Sequence, residues 1–288
     1  MITKTDKKRP TISEFLGKDY LSPSSLNKWS GEYGDEAIWC LSYLFGVKFT
    51  GSAATIRGEV VESAFEEILT NQDTDFLSNC KKRFVQKINE LKEKQGDAFD
   101  RSKAEKEYKA LPGFIESAHT ALEEVKFPPI NETKNGKFFS TQSEIKHDFG
   151  PDHELPLYGK KDFSWPDFSL DLKTSHRLSR QGVPVDYACQ ISGYAVADGQ
   201  REAKILTLSP KDYTFYVLRD MEIDVAYKRL KMKAKQLENR INAAIDLSMI
   251  RGTDPKREMA NLVTPGLTGF KWGDEELHFI KENNLWQD

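Results

Sequence analysis

Cysteine is scarce: the 288-residue chain has only Cys40, Cys80 and Cys189, an odd number too widely spread for any CxxC pair. That excludes a disulfide-stapled secreted fold and a zinc ribbon, whose ligands come at short, fixed spacings. The three cysteines read as reduced, partly buried thiols. Long apolar runs are missing too, so no stretch of the sequence reads as a membrane-spanning helix. Met1 to Pro10 is basic but lacks the apolar stretch of a secretory signal, and a cytoplasmic location is expected. A positive excess is also absent, with 42 Lys and Arg against 45 Asp and Glu and a formal net charge of −3. Such a chain does not hold polyanions by its overall field, and any nucleic-acid contact must come from local patches.

What is present is an ordinary soluble composition, 38% hydrophobic and 30% charged. The length allows one large domain or two smaller ones. The expectation is one domain over 1–288, with 76–125 as a helical insertion and 251–288 as a less regular tail. Residues 1–20 read as a loose arm. Ser22 and Pro23 then supply a helix cap and first turn, with helix to Trp29. Ala37 to Phe45 reads as a buried helix packed on that one. From Ser52 to Leu69, Val61, Ala64, Phe65 and Ile68 recur at helical spacing, with Glu59, Glu62, Glu66 and Glu67 on or beside the other side. Two charged helices are expected over 76–125, the second interrupted or restarted at Pro112-Gly113. Strands are expected at 137–149, in a hairpin over 160–173, and at 203–208 and 213–218, with a helix over 185–197 between the hairpin and the next strand. Met221 to Ile250 reads as one long basic helix, and a last helix is expected over 274–283. The fold class is therefore α/β, a mixed central sheet flanked by helices.

The hairpin carries the chemistry. A turn at Pro166-Asp167 pairs Trp165 with Phe168 and, further out, Asp162 with Asp171. Alternation puts Phe163, Trp165, Phe168, Leu170 and Leu172 on one face, and Asp162, Ser164, Ser169, Asp171 and Lys173 on the other. Opposed carboxylates repel unless a cation sits between them, and Mg²⁺ is typically held by one or two carboxylates. An ordinary ribbon with a solvated polar side would show the same residues, because Asp-x-Lys is a common tripeptide. The surroundings favour a site: glutamates on the preceding helix, Glu144 on the preceding strand, and Gln190 and Tyr194 one helical turn apart on the following helix.

In order along the chain, five segments resemble the PD-(D/E)XK nuclease superfamily, in its RecB-like, phage-type exonuclease branch. Leu21-Ser-Pro-Ser-Ser-Leu26 looks like the opening helix, and Arg57-Gly-Glu-Val-Val-Glu62 resembles the Gly-x-x-x-His helix with a carboxylate in place of histidine. Gly159-Lys-Lys-Asp162 resembles the Gly-x-x-Asp strand, Asp171-Leu-Lys-Thr-Ser175 the (Asp/Glu)-x-Lys-Thr-Ser strand, and Gln190-Ile-Ser-Gly-Tyr194 the Gln-x-x-x-Tyr helix. The resemblance implies a restriction-endonuclease-like core. It also implies a Mg²⁺ or Mn²⁺ site formed by Asp162, Asp171, the carbonyl of Leu172, and Glu62, with Glu66 as the alternative to Glu62. Lys173 would act on the attacking water or the phosphate, with its pKa lowered beside the metal, and Gln190 and Tyr194 would face DNA and the active site. Arg57, Arg177 and Arg180, and the basic helix around Tyr227 to Arg240, are candidate phosphate contacts. Cys40 resembles the first cysteine of iron-sulfur members. No cysteine follows Cys189, however, so four cluster ligands cannot be supplied and no iron-sulfur cluster is expected.

The expected function is metal-dependent hydrolysis of DNA, exonucleolytic by resemblance, in replication, recombination or repair. A structure-specific endonuclease, a catalytically inactive nucleic-acid-binding module of the same fold, and a scaffold using the helical pair and the Trp272 tail are the alternatives. DNA is the expected partner and no membrane is expected. Without a fused helicase motif, any helicase or recombination partner is a separate chain.

Overall fold

The computed structural model describes residues 8–30, 34–48, 51–70, 75–263, 274–283 and 285–286. The readings at Pro265-Gly266 and Trp272 lie outside these. The architecture is mixed α/β, with a five-stranded sheet flanked by helices. The chain divides into two compact units, 1–48 with 144–159 and 224–288, and 49–143 with 160–223.

In the first unit, helix α1 (Ile12–Leu16) closes a capping box: the Glu14 N–H donates to Thr11 Oγ1 at 3.1 Å, and the Thr11 N–H donates to Glu14 Oε2 at 2.7 Å. Ile12, Phe15 and Leu16 are buried, so 12–16 is an anchored turn of helix and not a loose arm. Ser22 caps α2 (Pro23–Ser30) through the Ser25 N–H at 3.2 Å, as the sequence suggests. Helix α3 (Glu36–Trp39) runs on as a π-helical turn over Cys40–Leu44, and Trp39 meets Trp29 edge-on with ring centroids 5.3 Å apart.

The long helix α8 (Asp220–Arg251) buries Leu230, Ala234, Leu237, Ile241 and Ile245 along one stripe. Its cations are partly turned to this unit's interior: Lys233 donates to Asn27 at 2.8 Å, Lys235 to the Asp152 carbonyl, and Arg240 to the Leu262 carbonyl at 3.1 Å. That limits the helix as a phosphate-binding face. The tail holds a helix that the sequence did not signal, α9 (Pro255–Asn261), capped by Asp254, and then α10 (Asp274–Glu282).

The second unit holds α4 (Ala53–Leu69), capped by Ser52, with α5 (Phe76–Gln95) and α6 (Arg101–Val125). The sheet runs in the order β1 (Ser140–His147), β2 (Leu157–Ser164), β3 (Phe168–Thr174), β4 (Glu202–Leu208), β5 (Tyr213–Arg219). The unit boundary falls within β1 and β2. Strand β3 pairs antiparallel with β2 and parallel with β4, and β4 pairs antiparallel with β5. Parallel neighbours need a crossover, and α7 (Val185–Asp198) supplies it.

One apolar cluster joins Val61, Ala64 and Phe65 of α4, Cys80 and Phe84 of α5, and Leu111, Phe114 and Ala118 of α6 to Phe163, Trp165, Phe168, Leu170 and Leu172 of the sheet. Each such side chain contributes about 1.5–3 kcal/mol by leaving water. Residues 76–125 thus contribute to this unit's core. Helix α6 also runs unbroken through Pro112, contrary to the sequence expectation. Burial of Leu111, Phe114 and Ile115 around it offsets a proline penalty of about 3 kcal/mol. All three cysteines are buried and free. Among the described residues, no helix is long and apolar enough to cross a membrane.

Candidate active site

Strand β3 is interior to the sheet and is covered on both faces, by the α4–α6 cluster on one and by α7 on the other. The polar face of the hairpin is therefore not solvated: Ser169 is fully buried and Asp171 only 1% exposed. The turn register is the expected one, with the Trp165 N–H on the Phe168 carbonyl at 2.8 Å and pairs Ser164↔Ser169 and Phe163↔Leu170. Beyond that pair the ladder is interrupted. The Leu172 N–H donates to Asp162 Oδ2 at 3.0 Å, so a side-chain carboxylate takes a main-chain donor of β3.

Around this break the charges converge. Lys173 Nζ donates to Asp171 Oδ1 at 2.8 Å and lies 2.8 Å from Oδ2. The second contact is outside hydrogen-bonding geometry, and Asp171 Oδ2 is buried without a hydrogen-bond donor. Gln190 Nε2 of α7 donates to Asp171 Oδ1 at 3.2 Å. Tyr194, one turn on, is 4% exposed, and Tyr187 sets its ring 5.4 Å from Lys173 Nζ. Burial, then the neighbouring Asp171, pushes the Asp162 carboxyl up to about 8, although Lys173 opposes this. Burial pulls the Lys173 ammonium down, but Asp171 and Asp162 together outweigh it and hold its pKa above the ordinary value. Burial also raises Tyr194, helped by Asp171 and Asp162.

The other expected residues fall elsewhere. Glu62 is raised by burial, countered by Lys173 and reinforced by Asp171, so it stands within their field, but its Oε1 accepts from Gln142. Glu66 accepts from Thr141 Oγ1 at 2.6 Å. Among the described residues, no group of three His, Cys, Asp or Glu is close enough to hold a metal ion, so the expected three-carboxylate set is not drawn together. Arg57 is 5% exposed and does not face solvent: it pairs with Glu107 and donates to the Thr174 carbonyl at 3.1 Å. Glu107 also meets His176 Nε2 at 2.8 Å. That buried network was not legible in sequence, because Glu107 and His176 are 69 positions apart and neither lies in a motif. Arg177 and Arg180 are exposed beside a groove.

The donor set fits a divalent cation in a limited form. Two carboxylates with one orphaned oxygen suit a hard ion that fills its remaining positions with water and phosphate oxygens. No family model matches the chain, and no curated protein matches it. Among solved structures, one titled "Crystal structure of SSO0001" is 18% identical, covering 63% of this chain and 85% of its own, with a TM-score of 0.30. A likeness at that level carries no argument for fold or function.

Proposed function

We propose that the chain is a Mg²⁺- or Mn²⁺-dependent nuclease that hydrolyses phosphodiester bonds of DNA, acting from an end. The observation that carries this reading is half-buried Asp162 set with buried Asp171 beside Lys173, with desolvation and Asp171 raising the Asp162 carboxyl to about 8. Asp162, Asp171 and the Leu172 carbonyl would hold the ion. A divalent cation there supplies Lewis acidity toward a phosphate oxygen and toward water. Asp162 would have to give up its proton to serve as a ligand. Gln190 fixes the Asp171 carboxylate, and Lys173 places its ammonium against charge developing on the phosphate. In the reaction a water oxygen bonds to phosphorus, the ester P–O bond breaks, and the water's proton leaves with the alcohol.

The reading is tested with end-labelled linear and closed circular DNA, single-stranded and duplex, in Mg²⁺ or Mn²⁺. Wild type should degrade linear DNA alone. Lys173→Ala and Asp171→Ala should each lose roughly 10²–10³-fold or more in rate. Cleavage of circles would mean an endonuclease. A second reading, a binding module without catalysis, is favoured by the turn of Glu62 toward Gln142. It predicts DNA binding, no cleavage, and no calorimetric divalent site that vanishes in Asp171→Ala.

A further inference from the structure

Outside the carboxylate site, the second unit has a groove of about 990 Å³ between α6 and the loops that follow β3 and β4. Five cations line it: Lys106 and Lys109 from α6, Arg177 and Arg180 from the β3–α7 loop, and Lys211 from the β4–β5 turn. All five are exposed, and among the described residues none of them has a carboxylate partner. Elsewhere in this unit, Arg57, Lys161 and Lys173 all have one. Five unpaired like charges around one groove repel one another, so the backbone must hold them there.

It does so at three points. A Cβ at Gly113 would stand 2.2 Å from the Pro210 carbonyl oxygen, so the α6 backbone presses directly on the β4–β5 turn. Any larger residue at 113 forces these walls apart. The Ser175 N–H donates to the Leu208 carbonyl at 2.9 Å, tying the two loops together. Glu107 joins α6 to His176. The backbone segments that carry the cations are therefore held together before any ligand binds, which lowers the ordering cost of binding a polyanion.

Among the described residues lining the groove, the one aromatic ring is that of His176, which is held by Glu107 and stands edge-on to Phe114. Base-stacking platforms use free aromatic faces, and none is offered here. We infer that the groove binds one phosphodiester backbone through its phosphates alone and reads no bases. The inference rests on the nuclease reading only for where the strand leads: Thr174, next to Lys173, is followed by the residues that open the groove.

The test is fluorescence anisotropy of labelled single-stranded and duplex oligonucleotides of several base compositions, in EDTA to prevent cleavage, over a salt series. With five phosphates engaged, log K should fall against log salt with a slope of about −3.5 for single strands, about 0.7 per contact. The triple variant Lys109→Ala/Arg180→Ala/Lys211→Ala should bind more weakly and flatten that slope by about 2, equally for every composition. Melting followed by circular dichroism shows whether the variant is folded. Wild-type affinity and slope in the folded triple variant would overturn the groove, as would a base preference that the triple variant abolishes. If the slope depends on the groove but wild type never cleaves DNA, the nuclease reading falls and the groove stands. If Lys173-dependent cleavage persists while the triple variant binds as wild type, the groove falls and the nuclease reading stands. Stronger binding of one probe than the other identifies the strand source.

Discussion

Two buried charge clusters meet the end of β3, and they differ in their balance. In one, Arg57 faces Glu107, which also takes His176 Nε2, and Arg57 satisfies the Thr174 carbonyl as well. In the other, Asp162 and Asp171 share a single Lys173, and Asp162 is left with a pKa near 8. Desolvating charge costs several kcal/mol per ion, and a matched network with hydrogen bonds offsets that cost where an unmatched one does not. The first cluster is matched in charge within the protein, although Arg57 Nε is buried without an acceptor, and it fixes the strand end. The second would be stabilised by another cation, which is the condition the proposed metal site requires.

The largest effect that would sharpen this contrast is on rate. Lys173→Ala should abolish DNA hydrolysis, and by leaving the buried Asp171 without its cation it should also cost stability. Arg57→Ala should cost stability alone. Breaking a buried pair by removing one partner costs about 3–5 kcal/mol, here read as a lower urea midpoint, and leaves Glu107 unmatched. Its salt dependence of DNA binding should stay at the wild-type value. A flattened slope with unchanged stability would return Arg57 to the role of phosphate contact that its sequence position suggests.

That reassignment shows what was legible in the sequence. The hairpin, its register and the i, i+4 pair Gln190 and Tyr194 could be read because each depends on residues a few positions apart: proline sets the turn, and alternation sets the faces. The fate of Arg57 could not, because its partner Glu107 lies 50 positions away on a helix whose own pattern marks it as surface. Pro112-Gly113 was misread as a break for a related reason. The glycine answers to Pro210 across space, a close approach that a helix-interior glycine can signal but cannot identify. The groove combines residues from three separate segments, and only Arg177 and Arg180 were visible beforehand as candidates.

A smaller effect concerns pH. The folded-state pKa of Asp162, about 8, lies above the value near 3.9 of an unfolded aspartate, so the folded protein keeps a proton that the unfolded chain has released. Its stabilising contribution is full below about pH 4 and is lost as pH rises toward about 8, roughly 5–6 kcal/mol in all. Thermal melts of the metal-free protein should fall across that window, and Asp162→Asn should flatten the fall. Mg²⁺ at pH 8 should raise the melting temperature of wild type and not of Asp162→Asn. A flat wild-type profile would mean that the second cluster is already balanced, and the contrast between the two clusters would disappear.

The smallest expected effect is at Glu62. Its carboxylate feels Asp171 and Lys173 and accepts a hydrogen bond from Gln142, so the effect expected of it is through the field. Glu62→Gln removes that negative charge while keeping an oxygen acceptor for Gln142. Divalent affinity by calorimetry should fall by roughly 10-fold, the lower range for a group outside the direct ligands, with one site still seen. Asp171→Asn should abolish the site. If Glu62→Gln abolished it too, the glutamate would have to swing from Gln142 toward the aspartates when the ion binds. The unmatched cluster would then be a three-carboxylate site that only the cation assembles.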